Sequence, residues 1–412
     1  MSLSGALSSA ISALNAQSSS LAMISDNISN ADTTGYKTTS GLFEQLVTAS
    51  SSAKSYSSGG VSVSGRSNIT QQGLLAATTN ATDVAIQGSG FFVATSSTGA
   101  GGETVYTRNG AFSTDNAGYL ENSGYYLEGW RTDASGNVTG NGLEPINTKV
   151  ALTNGGATTK TSLAANLPAD AASGDTFSSS MTVYDSLGQS HTLNVTWTKS
   201  ATANQWTADI APATASDGTV TSGTYTIDFN SDGSLSTVSS TNLGINWTNG
   251  AAASSITLSF GTTGGGTDGL TQLASGSTTP SVSNFSAESD GISFGTLSSI
   301  AVGKNGLVEA TYSNGQTVPI YKIAVATFAD PNGLVAHSGG MYTSTATSGN
   351  ATLQASGENG AGTIYGSELE SSTTDTTGQF SNMISAQQAY SAASQVVSAV
   401  NKMYDTLISS MR

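Results

Sequence analysis

Three residues have the types and the chain order of a serine hydrolase triad. Ser293 lies in Gly-Ile-Ser-Phe-Gly, which matches the nucleophile-elbow pattern, and Asp330 and His337 follow it in the order that α/β-hydrolases use. The elbow requires a helix directly after the serine, whereas residues 296–312 show short apolar runs interrupted by glycine. The sequence therefore favours a glycine-bounded strand here, and we expect no nucleophilic catalysis.

Cofactor and metal patterns are equally incomplete. Residues 264–269 fit the dinucleotide-binding glycine pattern, but Gly276 and Pro280 interrupt the segment that would have to form the phosphate-binding helix. His191 and His337 are the only histidines, and they have neither cysteine nor HExxH partners for zinc. The aspartates that lie near glycines lack the repeated acidic spacing of a calcium loop. We therefore expect no enzyme activity, no cofactor and no bound metal.

The composition indicates a β-rich secreted or surface protein of two to four domains. The 412 residues include 48 glycines and are 37% hydrophobic but only 9% charged. The formal net charge of −15, with 12 scattered basic residues, argues against binding to nucleic acid, because phosphate contacts need clustered Lys and Arg. Cysteine is absent, which excludes disulfides and thiolate-ligated metals.

The sequence shows neither a membrane span nor a conventional export signal. No apolar run is long enough to cross a bilayer, and no basic segment precedes an apolar stretch at the N-terminus. We therefore expect no membrane insertion and no cleaved signal peptide, so that export, if it occurs, must depend on another feature of the chain.

The two chain ends carry matching heptad patterns. Leu7, Leu14, Leu21 and Ile28 recur every seven residues near the N-terminus, and similar lines of apolar residues run through the last 30 positions. The patterns predict two helices, residues 1–30 and 376–412, paired as a coiled coil. The residues that we expect at the assembly interface are Leu3, Leu7, Leu14, Leu21, Ile24, Ile28, Met383, Tyr390, Val397, Val400, Tyr404 and Leu407.

The outer faces of these predicted helices are almost uncharged. Ser, Asn, Gln, Ala and Thr replace the charge pairs that a helix facing water normally displays, so each helix alone should be marginally stable. We expect the ends to order fully only when many copies assemble. An ordinary intramolecular helical hairpin is the alternative that the heptads leave open.

The region between the helices reads as strands and turns. Short alternating runs predict a β-rich wall domain at 69–144 and 286–357, with irregular connectors at 31–68 and 358–375. All six prolines lie between Pro145 and Pro331, and alternating strands separated by glycine turns fill the middle. The sequence predicts an α+β, mainly β fold, in which residues 145–285 form an inserted outer β-domain, a barrel or a sandwich.

Four segments resemble the flagellar axial proteins of bacteria, the family of rod and hook proteins. They are residues 27–37 (NISNADTTGYK), 86–92 (IQGSGFF), 106–112 (YTRNGAF) and 383–390 (MISAQQAY). Asp32 stands where the family more often has Asn, and Gln388 stands where it usually has Arg. The resemblance marks a motif made of Asn27, Asn30, Thr34, Gly35, Tyr36 and Lys37.

The insertion narrows the resemblance to the hook members of this family. Residues 183–197 (VYDSLGQSHTLNVTW) resemble the domain inserted in those members, which the shorter rod relatives lack. The resemblance implies a structural subunit that is exported through the flagellar type III apparatus and polymerises with itself under a hook cap outside the cell. It also implies a curved tube that joins the distal rod to the hook-filament junction protein and acts as a universal joint. A distal rod protein and a secreted β-rich adhesin are the alternatives.

Overall fold

The computed structural model describes residues 3–46, 59–99, 101–140, 142–151, 153–266 and 268–410. Within these ranges the chain divides into two units. Unit 1 comprises Met1–Val150, Ser299–Thr311 and Thr317–Arg412, and unit 2 comprises Ala151–Ser298 and Tyr312–Gln316. Strands dominate the described residues, and a long helix lies near each chain end. The predicted mainly β class with two terminal helices is therefore confirmed.

Both long helices belong to unit 1 and lie alongside each other. Helix α1 runs over Leu3–Ser29 and helix α2 over Thr376–Ser410. Helix α2 begins directly after Asp375, whose carboxylate accepts a hydrogen bond from the Thr377 amide at 3.1 Å and so satisfies one of the free donors of the first turn. Within the described residues, no helix is both long enough and apolar enough to cross a bilayer.

An antiparallel strand pair follows α1. Strands β1 (Thr39–Gln45) and β2 (Val61–Ser67) pair with Thr39 opposite Ser67 and Gln45 opposite Val61. The structure thus has regular strands in part of the connector that we predicted to be irregular, because backbone pairing satisfies the polar groups of this serine-rich segment. Residues 47–58 of that connector lie outside the described residues.

Unit 1 continues with short strands that build its β-core. They are β3 (Leu75–Ala77), β4 (Val84–Gln87), β5 (Phe91–Thr95), β6 (Thr104–Thr107), β7 (Ser113–Thr114), β8 (Leu120–Asn122), β9 (Tyr125–Arg131) and β10 (Glu144–Pro145). A short 3-10 helix at Thr148–Ala151 ends this part of the chain.

Unit 2 contains the next series of strands. They are β11 (Thr153–Gly156), β12 (Lys160–Pro168), β13 (Thr176–Tyr184), β14 (Ser190–Lys199), β15 (Gln205–Pro212), β16 (Gly218–Ser222), β17 (Thr224–Phe229), β18 (Leu235–Val238), β19 (Asn242–Trp247), β20 (Ser254–Ser259), β21 (Leu270–Leu273) and β22 (Ser283–Ser289). Strand β23 (Ile292–Val302) follows, and its last four residues belong to unit 1.

The remaining strands lie between β23 and α2, most of them in unit 1. The strands are β24 (Leu307–Tyr312), β25 (Thr317–Thr327), β26 (Val335–His337), β27 (Met341–Thr343), β28 (Thr352–Ala355), β29 (Thr363–Gly366) and β30 (Glu368–Glu370), with 3-10 turns at Lys304–Gly306, Pro331–Gly333 and Ser338–Gly340. Strands β29 and β30 lie in the second predicted connector, which is therefore also partly regular. They pair with β4 and β3.

The core of unit 1 gathers the apolar residues of the two family-like β-segments. Its main sheet follows the strand order β24-β25-β9-β5-β6-β27-β26. Every residue of β5 is buried, and Phe92 packs edge to face on Phe112 with ring centroids 5.8 Å apart. Gly90 has a φ of +122°, and a Cβ there would lie 2.3 Å from a methyl group of Val325. The glycine of the IQGSGFF segment thus permits two strands to approach closely.

Unit 2 is built from two sheets that share one hydrophobic core. One sheet has the order β13-β14-β15-β17-β18, and the other contains the path β16-β19-β20-β12-β21 with β22 paired to β12. The predicted alternation is confirmed in β14, where Leu193, Val195 and Trp197 are buried and their neighbours face outward. Residues of both sheets, such as Trp197 and Ile256, belong to the same buried cluster.

The bounds of unit 2 differ from those of the predicted insertion. Unit 2 begins at residue 151 and continues to 298, because β22 extends the sheet by pairing Ser289 with Thr161 of β12. The predicted insertion ended at 285, where family-like sequence was about to resume. The residue at which the family-like sequence resumes is therefore not the residue at which unit 2 ends.

Candidate assembly site

A single buried asparagine joins the end of α1 to β1 and to the beginning of α2. The Asn27 side chain is 1% exposed, and its oxygen accepts hydrogen bonds from the Thr39 amide at 2.9 Å and the Tyr36 hydroxyl at 3.1 Å. Its amide nitrogen donates to the Thr39 carbonyl at 2.8 Å and to the Gln379 side chain at 3.3 Å. The Asn27 carbonyl also accepts from the Thr374 hydroxyl at 3.1 Å. All its polar atoms are thus paired across three elements.

The next motif residues close the helix and turn the chain. The Asn30 side chain donates to the Asp26 carbonyl at 2.9 Å, which satisfies an acceptor in the last turn of α1. Gly35 has a φ of +68°, and a Cβ there would come within 2.9 Å of the Arg108 backbone. The turn therefore requires glycine at this position. Thr34 and Tyr36 line a cavity of about 450 Å³ together with the 336–342 segment.

The final motif residue enters a buried ion cluster. The Lys37 ammonium lies 2.5 Å from Oε1 of Glu370, and the Arg108 guanidinium lies 3.2 Å from the other carboxylate oxygen. Glu370 is fully buried, while Lys37 and Arg108 are 4% and 5% exposed. Burial lowers the pKa of both Lys37 and Arg108, and the carboxylate opposes this shift in each case. Two cations and one carboxylate are thus buried together, shielded from solvent.

Backbone groups complete this cluster. Oε1 of Glu370 accepts from the Gly73 amide at 2.7 Å, and the Glu370 carbonyl accepts from the Gly35 amide at 2.7 Å. The Lys37 ammonium also donates to the Gln71 carbonyl at 2.5 Å. A Cβ on Gly73 would lie 2.0 Å from the Ser371 carbonyl oxygen, so the segments cross too closely for any other residue. We call Lys37, Arg108 and Glu370 the ion cluster below.

The predicted interface residues of α1 occupy a partly covered face of the helix. Leu7, Leu14, Leu21 and Ile28 are half-buried, and Ile24 is buried. Leu3 is the first residue of α1, and its side chain lies outside what the structure describes. Two alanines, Ala10 and Ala16, are also buried, and small side chains of this kind let two helices approach each other closely.

The predicted interface residues of α2 divide into covered and exposed groups. Val400 is buried, and Met383, Val397 and Tyr404 are half-buried. Tyr390 and Leu407 remain 42% and 55% exposed. The contact within one chain therefore covers only part of the predicted seam, and the role of these residues in assembly stays a prediction.

Helix α2 exposes large apolar side chains, of which the heptad pattern had identified only Tyr390 and Leu407. We define the exposed row of α2 as its large apolar residues that are more than 40% exposed, namely Phe380, Ile384, Tyr390, Val396, Met403, Leu407 and Ile408. Scattered apolar residues are normal on a protein surface, but these seven large side chains, distributed over several faces of one 35-residue helix, expose apolar area of the kind that marks interaction sites. The low charge of the surrounding helix surface adds to this character.

A groove runs between α1, α2 and β1. It has a volume of about 470 Å³ and is lined on its apolar side by Met23, Ile24, Phe43 and Ala386. Phe43 is 45% exposed, so the groove has an open aromatic edge. The groove and the exposed row of α2 both offer apolar surface in the helical part of unit 1.

The residues considered for catalysis have other structural settings. Ser293 lies within strand β23, so no helix follows it, and the His337 ring lies 2.8 Å from the Thr343 hydroxyl. The glycine-rich segment after β20 leads into strand β21 and not into a helix. Among the described residues, no group of three or more His, Asp and Glu is arranged to hold a metal ion.

The other histidine has a structural environment in unit 2. His191 lies 3.0 Å from the Asp185 carboxylate and stacks on Trp247 with ring centroids 4.0 Å apart. Burial raises the pKa of Asp185, but hydrogen bonds from His191, Asn249 and backbone amides outweigh it, so the net pKa lies below its usual value. This cluster holds the Asp185 turn against Trp247 of β19.

Several functional residues were not identified from the sequence. Arg108 lies within the YTRNGAF segment and Glu370 within the predicted connector at 358–375, but nothing in either segment marks them as partners of Lys37. Both residues are far from Lys37 along the chain, and the Glu-Leu-Glu segment of β30 has no unusual feature. The sequence therefore gave no indication that these side chains meet. Gln379 and Thr374 were missed for the same reason.

Family models match most of the chain. The model described as Flagellar basal body protein FlaE D2 domain covers residues 151–284, and that of the Flagellar hook protein FlgE/F/G D1 domain covers 85–173. The model described as Flagella basal body rod protein covers 7–37, which includes the Asn27 motif. That of the Flagellar basal body rod FlgEFG protein C-terminal region covers 366–410, which includes Glu370 and α2.

The relatives that align with the chain over their whole length are named flagellar hook proteins. The chain is 34% identical over 428 aligned residues to the flagellar hook protein FlgE of Rhizobium meliloti and 35% identical over 421 to that of Brucella suis, with all of both chains covered in each case. It is 29% identical to the Escherichia coli protein of that name, with 98% of this chain and 99% of the relative covered. The crystal structure of Helicobacter pylori flagellar hook protein FlgE2 has a similar fold, with a TM-score of 0.51 at 14% identity over 72% of this chain and all of that one.

Proposed function

The chain belongs to the flagellar hook protein family, and from this premise we propose that it is a structural subunit of the bacterial flagellar hook. In this role it polymerises head to tail into a curved flexible tube. The tube transmits torque from rod to filament while it bends. Identical contacts repeated between copies generate an open helical array when the rotation between neighbours does not close a ring.

The observation that carries this proposal is the exposed row of α2 beside a closed joint of the two chain ends. Asn27 holds the beginning of α2 against the end of α1, yet Leu407 and Ile408 stay 55% and 63% exposed. Burial of a large apolar side chain stabilises an interface by roughly 1.5–3 kcal/mol, so covering this row is a strong driving force. A second copy of the chain is the partner that the family membership supplies.

We further propose that α1 and α2 pair as a coiled coil and that the heptad residues form the assembly interface. The side-by-side packing of the helices and the burial of Ile24 and Val400 support this pairing. The proposed layout has the helical domain at 1–30 and 376–412, connectors at 31–68 and 358–375, a tube-wall domain at 69–144 and 286–357, and an inserted outer domain at 145–285. The single core shared by two sheets favours a sandwich for the inserted domain.

The proposed partners follow from the resemblance of the motifs. The chain contacts copies of itself along the tube, the distal rod protein at one end and the hook-filament junction protein at the other. Growth takes place under a hook cap, outside the cell. The chain reaches that site through the flagellar type III export apparatus without a cleaved signal peptide.

The two alternatives considered from the sequence are not favoured. A distal rod protein would lack the long insertion, whereas residues 151–284 match a domain model of their own. A secreted adhesin would not require paired chain ends. The full-length relatives compared above are each named as hook proteins.

Electron microscopy of the full-length chain in polymerising salt tests the proposal, with sonicated tube fragments added as seeds so that growth does not depend on a cap. The variant Leu407→Asp places a charge in the exposed row of α2. Its matched control is Leu187→Asp, which charges a leucine that is 58% exposed in unit 2. We expect curved hollow tubes from the unchanged chain and from the control, and none from Leu407→Asp.

Two results would contradict this account. The proposed hook function would be contradicted if the unchanged chain formed straight rigid cylinders or failed to elongate the seeds. Normal tubes from Leu407→Asp would instead show that the exposed row of α2 is not an assembly surface.

A further inference from the structure

Glu370 accepts hydrogen bonds from four residues in three separate segments of unit 1. Its carboxylate accepts from the Lys37 ammonium, the Arg108 guanidinium and the Gly73 amide, and its carbonyl accepts from the Gly35 amide. These donors belong to the turn after α1, the segment before β3 and the segment after β6. Glu370 itself is the last residue of β30, five residues before Asp375 caps α2. The residue therefore stands where the β-core ends and the helical part begins.

The connecting segments are also bonded to each other at this place. The Thr38 amide donates to the Thr373 hydroxyl at 3.0 Å, and the Thr373 amide donates to the Tyr36 carbonyl at 3.1 Å. One segment leads away from α1 and the other leads into α2. A displacement of the helix pair relative to the β-core of unit 1 must therefore strain these bonds and the ion cluster together.

The ion cluster resists such a displacement more strongly than ordinary hydrogen bonds do. All three of its members are at most 5% exposed, so water cannot replace a partner that moves away. Charge-assisted hydrogen bonds are roughly twice as strong as neutral ones, and separating a buried pair leaves an uncompensated charge. Arg108 is held further by the Ile86 and Gly88 carbonyls at 3.3 and 2.6 Å, which fix its guanidinium to the β-core.

We infer that the ion cluster is the mechanical coupling between the helix pair and the β-core of unit 1, and that it sets the bending stiffness of the tube. This inference rests on the proposed function, because only an assembled tube bends. Glu370 acts as a positioning residue: it is fully buried within its own chain and holds two parts of that chain in one geometry.

The test measures the persistence length of tubes assembled from full-length chains, read from their curvature fluctuations in electron micrographs. The variant Glu370→Gln leaves two buried cations without a carboxylate, and we expect its tubes to bend about twice as easily or more. Lys37→Met removes one cation and leaves a balanced Arg108 and Glu370 pair, so its tubes should soften less. The matched control is Glu358→Gln, since Glu358 is 61% exposed and its lysine partner is 3.9 Å away.

A second comparison separates mechanical coupling from general stability. Ile323→Val removes one methylene from a fully buried position in the core of unit 1. We expect it to lower the unfolding midpoint of the monomer but to leave tube stiffness unchanged. Equal softening by Ile323→Val and Glu370→Gln would overturn the inference, and so would unchanged stiffness of the Glu370→Gln tubes.

The inference can still be tested if the Glu370→Gln variant does not assemble. If Glu370→Gln forms no tubes, Lys37→Met decides, because softened tubes support the coupling and tubes of unchanged stiffness contradict it. If the unchanged chain forms no tubes, the proposed hook function fails, which is a different result from any outcome of the variants.

Discussion

The ammonium of Lys37 lies 2.5 Å from the carboxylate of Glu370, although 333 positions separate the two residues in the chain. Lys37 ends the N-terminal motif, and Glu370 ends the last strand before the C-terminal helix. The contact therefore closes the chain on itself beside the Asn27 joint. Four consequences of this architecture and of the two cores can be measured on the isolated chain.

Replacing Asn27 should loosen the joint of the chain ends. Asn27→Ala removes four side-chain hydrogen bonds from a site that is 1% exposed and leaves the Thr39 backbone and the Tyr36 hydroxyl without these partners. We expect a loss of about 2–3 kcal/mol in the free energy of unfolding, measured in urea by far-UV circular dichroism. Asn15→Ala, at an exposed position of α1, is the control. Equal losses in both variants would contradict the role of Asn27.

A methyl group at Gly110 should disrupt the β-core. An added Cβ would lie 1.6 Å from the Val84 carbonyl oxygen, and the Val84 amide donates to the Gly110 carbonyl at 3.0 Å. Gly110→Ala must therefore move a buried strand, and we expect a loss of at least about 2 kcal/mol in denaturant unfolding. Gly142→Ala meets no atom within 4 Å and should change stability by less than about 0.5 kcal/mol. A tolerated Gly110→Ala would show that the two segments can separate at little cost.

Two leucines of unit 2 should differ sharply in their effect on its stability. Leu193 is fully buried, so Leu193→Ala should cost about 2–5 kcal/mol through lost burial and the cavity left behind. Leu187 is 58% exposed, and Leu187→Ala should have almost no effect. Tryptophan fluorescence during urea unfolding reports mainly on unit 2, which contains three of the four tryptophans, Trp197, Trp206 and Trp247. Similar midpoints for the two variants would argue against the observed core.

Buried tyrosines predict a loss of stability at alkaline pH. Burial raises the pKa of Tyr225, Tyr321 and Tyr342 to about 12, whereas an unperturbed tyrosine ionises near pH 10. The unfolded chain therefore releases these protons at lower pH than the folded chain does. Their contribution to stability is complete below about pH 10 and is lost as the pH rises towards 12.

Urea midpoints measured from about pH 9 to about pH 12 check this dependence. Tyr225→Phe should make the midpoint of unit 2 fall less over this range, because one raised pKa is removed from that unit. Leu187→Ala, at a 58% exposed position of unit 2, alters no ionisable group and should leave the dependence unchanged. A midpoint that stays constant up to pH 12 would contradict the prediction.

The helices and the alternating strands were predictable from the sequence because their signals are local. Leu7, Leu14 and Leu21 repeat at a fixed interval, and the burial of Leu193, Val195 and Trp197 follows directly from alternation in one strand. The short strands β1 and β2 gave no comparable signal, since serine and glycine fill six of their 14 positions. Their pairing depends on backbone hydrogen bonds, which any residue except proline can donate.

The ion cluster was not predictable for a different physical reason. Lys37 was noted only as the end of a motif, and Arg108 only within the YTRNGAF segment. A buried charge requires partners, but a single sequence does not indicate that Lys37 is buried, nor which of 27 acidic residues lies beside it. Only the pairing of β3 with β30, which brings Glu370 to Gly73, determines that choice.

Because the two helices differ in length, the far end of α2 exposes apolar residues in the isolated chain. Helix α1 has 27 described residues and α2 has 35, so α2 is eight residues longer, or about 12 Å at ~1.5 Å per residue. Because Asn27 contacts Gln379, the pairing begins where α1 ends and α2 starts, and the surplus lies at the far end of α2, where Leu407 and Ile408 are exposed. Such an overhang gives each subunit a polarity, and its last two turns should exchange amide hydrogens fastest until a neighbour covers them.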